Sequence, residues 1–247
     1  MKNIRKSILF VGLIILSLIF VSCDFQPSDT GKENPEEMIT IKHELGEEKV
    51  KKNPERIIVF DYGILDALDN IGIDVIGVAK QSLPAYLDKY KADEYVDIGS
   101  LKEPNFETIY EINPGLIIIS GRQGDIYDEL RKIAPTVYLN IDGGDYLNSF
   151  KSNMEILGKM FDREDLLKEK VEEITEAIDK LHEKAQSIDK NGLFIMANDG
   201  NLSAYGLGSR FGVLHKEFGV KAADENIDAS THGQKITFEY IVETDPD

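Results

Sequence analysis

FETIYEINPGLIIISGR, residues 106–122, carries the pattern that decides the fold. Glu107 to Ile112 has helical spacing and is stopped by Asn113-Pro114, because proline cannot continue a helix. Leu116 to Ile119 is too apolar for a strand with one face in water and suits a central parallel strand covered on both faces. Ser120-Gly121-Arg122 follows at the strand's carboxyl end, where α/β folds place their ligand loops.

Upstream, residues 39–50 (ITIKHELGEEKV) alternate loosely and predict a strand or hairpin. Arg56 to Phe60 predicts a strand, Ile64 to Ile71 a helix closed by Gly72, and Asp74 to Val78 another strand. Downstream, Ile126 to Ile133 reads as helix and Thr136 to Leu139 as strand. Strand, short helix, strand is the cadence of a parallel α/β sheet. The longest helical stretch runs from Tyr146 to Ile188 with a break at Asp162-Arg163. Leu167, Val171, Ile174, Ile178, Leu181, Ala185 and Ile188 make one apolar stripe on it, fit to span a domain and join two lobes. A coiled-coil dimerisation arm is the competing reading of that stripe. Leu193 to Met196 opens a second α/β section, and a Gly-rich loop from Gly200 to Gly212 leads into a helix over residues 213–218.

The deciding stretch has an echo. Residues 106–115 read FETIYEINPG and residues 238–247 read FEYIVETDPD, with Phe, Glu, Ile, Glu and Pro at identical spacing. In the first copy a strand follows at once; in the second the sequence stops. Asp-Pro-Asp is a poor end for a sheet domain, so the reading expects a truncated second lobe lacking its final strands and helices.

At the amino end, Lys2, Arg5 and Lys6 precede an apolar run from Ile8 to Val21 and then Ser22-Cys23. A basic start, an apolar run short for a bilayer span and a small residue before the cut predict a signal peptide over residues 1–22; an uncleaved anchor helix is the alternative. Residues 23–38 are polar and read as a tether, followed by an N-terminal lobe at 39–145, a linking helix at 146–190 and a C-terminal lobe at 191–247. The formal charge is 28 − 45 = −17, and loss of three signal-peptide cations takes it to −20. Such a chain does not seek nucleic acid or anionic headgroups, and an anion site on it needs its own local cations.

No strong catalytic signature is present, and the four histidines (His43, His182, His215, His232) form no close metal-ligand pair in sequence. His182 falls on the polar side of the long helix and reads as solvated. The reading is therefore of a binding protein, not an enzyme. Three segments stand out: Ser120 to Gly124, Ala197 to Gly212, and Ser230-Thr231-His232-Gly233-Gln234. Arg122, Arg210 and His232 are their chemical groups, although each also fits an ordinary structural role.

Together, Ser22-Cys23 after its apolar run, the paired FE-x-I elements, the linking helix, and the ANDG…SAYGLGSRFG and STHGQ stretches resemble siderophore-binding lipoproteins of ABC iron importers. The group most resembled captures ferric catecholates, petrobactin-type siderophores included. That resemblance implies an α/β fold of two doubly wound lobes joined by a long rigid helix, with the ligand in the cleft between them. It implies a lipobox ending at Cys23, with Phe20 where leucine is usual, and hence a diacylated, membrane-anchored monomer facing outside the cytoplasm, as on a Gram-positive surface. It further implies that Arg122 and Arg210 face an anionic ferric complex, with Tyr205 beside them. His232 would complete iron coordination when the siderophore leaves positions open. A tyrosine ligand and a further arginine would fall beyond Asp247. Glu107 and Glu239 would dock on permease arginines, although each also fits a first-turn helix acid favoured by the helix dipole. No prosthetic group is implied; the ligand is the Fe(III)-siderophore. Ferric citrate, haem or a corrinoid on the same fold, and a lipid-anchored hydrolase or adhesin, are the competing functions.

Overall fold

A computed structural model describes residues 37–230 and 232–247. Cys23, the signal-peptide and nearly all of the tether expectations, and Thr231 lie outside the described residues. Strands β1 (Met38–His43) and β2 (Gly46–Lys51) form the expected hairpin, paired Ile39 with Val50. Met38 already belongs to β1, so the first strand begins inside the expected tether, at its last residue.

Five parallel strands follow: β3 (Ile57–Val59), β4 (Gly77–Val78), β5 (Val96–Asp97), β6 (Leu116–Ile119) and β7 (Thr136–Tyr138), in the order β5-β4-β3-β6-β7. All four residues of β6 are buried, as its unbroken apolar run requires. Helix α1 (Tyr62–Asn70) begins earlier than its apolar spacing suggests because the Asp61 carboxylate accepts from Ile64 N–H at 2.9 Å, an N-cap. Helix α2 (Phe106–Glu111) is capped likewise by Asn105, and α3 (Tyr127–Leu130) follows a 3-10 turn over Gly121–Ile126.

The long helical stretch is two helices, α4 (Tyr146–Phe161) and α5 (Glu164–Gln186), turned at Asp162 in left-handed conformation (φ 51°). The break sits where the sequence places it, but α4 is no link. Its Met154, Leu157, Met160 and Phe161 complete the core formed by β3, β6 and α1. Only α5, about 35 Å long at 1.5 Å per residue, passes from that core to the rest of the chain. Leu167 is buried in the first core. Near the other end the His182 ring bonds the Glu217 carbonyl (Nδ1 to O, 3.0 Å) and the Gln186 amide donates to Gly219 (2.9 Å). His182 is therefore a packing residue, not a solvated one: Glu217 and Gly219 come up against it from a segment the helical pattern could not reveal.

Over residues 191–247 the chain departs from the expected second parallel winding. β9 (Phe194–Asn198), β10 (Asn201–Tyr205) and β12 (Gln234–Ile236) pair antiparallel in the order β12-β10-β9, while β8 (Asn191–Gly192) and β11 (Lys221–Ala222) make a short parallel pair. The cause is local. Asp199 (φ 46°) and Gly200 (φ 75°) both adopt left-handed conformations between β9 and β10, the geometry of a type I′ hairpin. Helices α6 (Val213–Lys216) and α7 (Phe238–Thr244) complete this section. No helix of the described residues is long and apolar enough to cross a membrane.

Candidate functional site

The strand order makes a switch point between β3 and β6, because the chain winds away from β3 through β4 to β5 and then returns beside it. A crevice opens outside the carboxyl ends of two such strands. Asp61 and Tyr62 stand at the end of β3, and Ser120, Gly121 and Arg122 at the end of β6. The loop there is fixed from beneath: Gln123 is buried, accepts from Ser120 N–H at 3.3 Å and donates to the Leu101 carbonyl at 2.6 Å. Arg122 is exposed on the outer side of that fixed turn. Burial pushes the Tyr62 phenol above its ordinary value while the Ser82 backbone and the nearby Arg122 charge oppose the rise.

Arg210 is placed by a different device. β10 delivers Tyr205 into the interior, and the Gly206–Gly212 turn is tied by buried Ser209, whose hydroxyl donates to Gly206 O at 2.7 Å and accepts from Phe211 N–H. The Arg210 guanidinium lies 4.7 Å from the Phe211 ring centre and 5.5 Å from that of Tyr205, with one N–H toward Met196 Sδ at 3.7 Å. Phe194 stacks on Phe211 at 4.3 Å, completing an aromatic platform. Stacking engages the face of the guanidinium and leaves most of its in-plane donors free. Tyr205, 2% exposed, is the floor of this arrangement and presents almost no surface of its own. Phe194, Phe211 and Met196 were not singled out from the sequence; only the aromatic flank of Arg210 hints at them.

The His232 turn meets the same floor. Gly233 (φ 73°) lies so close that a side chain there would come within 2.8 Å of the Tyr205 ring. His232 is exposed and makes no hydrogen bond with a described residue. Tyr205 thus brings Arg210 and the His232 turn together.

Arg122 joins them through residues 140–143. Asn140 lies against the Arg122 turn, its side chain 2.9 Å from where a Gly121 Cβ would stand, and Gly143 lies against the Arg210 backbone. Three Cα steps span at most about 11 Å, so the segments on which the two arginine loops rest are close neighbours.

What each guanidinium bonds separates these two from the rest. Among the described residues, Arg56 donates to the Ile112 and Asn113 carbonyls, Arg163 to the Phe161 and Asp162 carbonyls, and Arg131 to Glu48 at 2.7 Å. Arg122 and Arg210 are the two with neither a carboxylate nor a carbonyl partner among the described residues, in a chain of net charge −17.

The echo also has a structural counterpart. Glu107 and Glu239 each occupy the second position of a capped helix, with Asn105 and Thr237 as caps. Its own backbone N–H and the Thr237 hydroxyl hold the Glu239 carboxyl below the usual range. Phe106, Tyr110, Phe238 and Val242 flank the two glutamates and are exposed. Among the described residues no group of three or more His, Cys, Asp or Glu could hold a metal ion.

The model of the periplasmic binding protein family matches residues 57–247. The chain is 48% identical to the petrobactin-binding protein YclQ of Bacillus subtilis over 98% of its length and 78% of the relative's. It is 32% identical to the ferric-anguibactin-binding protein FatB of Vibrio anguillarum, over 96% of this chain and 76% of that one. The crystal structure of YclQ superposes with a TM-score of 0.84 at 52% identity, covering 85% of this chain and 75% of that chain. The catecholate-siderophore binding protein VctP of Vibrio cholerae superposes at 0.80 and 38% identity, covering 85% and 76%. With the switch-point sheet, the spanning helix and these relatives in agreement, the chain belongs to the periplasmic binding protein family.

Proposed function

We propose that this chain captures an anionic ferric siderophore of the catecholate type between the Arg122 loop and the Arg210–His232 platform, and passes it to an ABC permease. The observation that carries the reading is the pair of arginines with neither carboxylate nor carbonyl partner among the described residues, one at the switch point and one on an aromatic platform, in an otherwise acidic chain. Ferric catecholates are anions, and a planar guanidinium that is always charged suits them. At ~4 Å and an effective dielectric of ~20, each pairing is worth roughly 4 kcal/mol before desolvation. The relatives' names, petrobactin and anguibactin binders among them, point to the same ligand class. The iron is cargo; His232 is the donor that would reach it. Glu107 and Glu239 present the docking acids, and Cys23 carries the lipid that holds the protein outside the cytoplasm.

Titration with a ferric bis-catecholate, followed through tyrosine fluorescence (ten Tyr, no Trp), tests it. Arg122→Ala and Arg210→Ala should each weaken binding by about 1–3 kcal/mol, the range for one charge-assisted contact, with an unchanged circular dichroism spectrum. Unaltered affinity in both variants would refute the assignment.

A further inference from the structure

We infer that Gly143 and Lys216 are positioning residues for Arg210, setting where its charge stands relative to Arg122. The inference rests on the proposal that Arg210 faces the ligand. Residues 142–145 form a fixed abutment at the start of α4. Asp142 N–H donates to Ser149 Oγ at 3.1 Å, and the Asp142 carboxylate and carbonyl accept from Gly144 and Asp145 N–H at 2.8 and 3.1 Å. The Gly206–Gly212 turn is equally fixed by Ser209. The two meet backbone to backbone: a Cβ on Gly143 would lie 2.6 Å from Arg210 Cα and 2.9 Å from its N. Ordinary carbon contacts need ~3.5 Å or more, so only glycine allows this approach.

Lys216 holds the approach shut. Its Nζ reaches across from α6 to donate to the Gly144 carbonyl at 2.7 Å and stands 3.6 Å from Asp145. Lys216 lies six residues beyond Arg210 on the same tied segment, so the lysine and the close glycine contact fix both ends of it. Any widening at Gly143 shifts the Arg210 backbone by about 1 Å. Positional tolerances in binding sites are on the order of 0.5 Å. Neither Gly143 nor the Lys216 side chain need touch the ligand; both act on it through Arg210.

A double-mutant cycle against a ferric bis-catecholate tests this, with thermal melts run alongside. Gly143→Ala and Lys216→Met should each weaken binding on the order of tenfold in the parent and have little effect in Arg210→Ala, since residues acting through one another are non-additive. Lys216→Arg should restore affinity. Lys216, 48% exposed, carries the test if Gly143→Ala fails to fold. Losses of equal size in both backgrounds, or none in the parent, would overturn the inference while leaving the ligand reading intact. No effect of Arg210→Ala itself, or no binding by the parent, would overturn both.

Discussion

Arg122 and Arg210 are legible as residue types in the sequence, but their significance comes from what the other described arginines do. Arg56 donates to the carbonyls that end α2 and Arg131 pairs with Glu48 of the hairpin, so the donors of both are engaged. Arg210 needs its platform as well. A cation over an aromatic face gains roughly 0.5–1 kcal/mol at an exposed site, and more importantly the ring fixes its direction. Phe211→Leu should therefore loosen Arg210 and weaken ferric bis-catecholate binding several-fold, with a stability loss on the order of 1 kcal/mol from the lost ring contacts with Phe194 and Tyr205, as titration and melting would show. His232 should contact the metal, not the organic part of the ligand. A hexadentate siderophore fills all six iron positions, whereas a tetradentate one leaves two open. His232→Ala should cost a tetradentate complex on the order of tenfold, ~1.4 kcal/mol, shift its charge-transfer band, and spare a hexadentate complex; equal losses for both would remove His232 from the coordination sphere. His43 gives a pH prediction unrelated to ligand. It packs against Tyr127 and Tyr138, and burial lowers its pKa from 6.5 against the opposing Glu48 charge and a hydrogen bond to the Thr136 backbone. The unfolded chain then takes up the proton first. Stability is full above pH 6.5 and falls as the pH drops through the lower folded value. His43→Phe should flatten that part of the urea-midpoint profile; an unchanged profile would mean that other groups carry it.

Among the elements, α2 and α7 show how far a sequence echo can be trusted. The matching Phe, Glu and Ile positions do fold alike: each helix has a side-chain cap, an exposed glutamate at its second position and an isoleucine turned to a core. Charge reversal, Glu107→Arg or Glu239→Arg, should impair iron uptake several-fold while ferric bis-catecholate affinity stays at the parent value. Uptake at parent levels would make both plain first-turn acids. The β9–β10 hairpin is legible in the sequence. Asn198-Asp199-Gly200-Asn201 is a two-residue turn signal between strand-forming runs, but the glycines that follow it drew the segment into one long loop. Gly200→Val should destabilise the chain by about 1–2 kcal/mol, the cost of a left-handed side chain, read from a urea melt. Similarly, the stripe on α5 gave the helix and Asp162-Arg163 gave the corner, but not that α4 turns back into the first core. That depends on Met154, Leu157, Met160 and Phe161 finding partners far away in sequence.

For the molecule as a whole, the parallel sheet was readable because β6 and its neighbours are unbroken apolar runs separated by turn residues. The two-residue strand β5 was not, because so short a pairing leaves almost no periodicity. The site was readable as three loops but not as one place. Its unity comes from Tyr205 beneath Arg210 and Gly233, and from residues 140–143 between the two arginine loops, contacts no local pattern encodes. The acidic surface gives these arginines their meaning, since an anion repelled at long range must be captured at short range. The most direct measurement compares an anionic ferric bis-catecholate with a ferric tris-hydroxamate, which carries no net negative charge, on the parent and on Arg122→Ala/Arg210→Ala. The parent should bind the anionic complex far more tightly, and the double variant should lose most of this preference. Equal affinity of the parent for both complexes, or a preference that survives removal of both arginines, would contradict it.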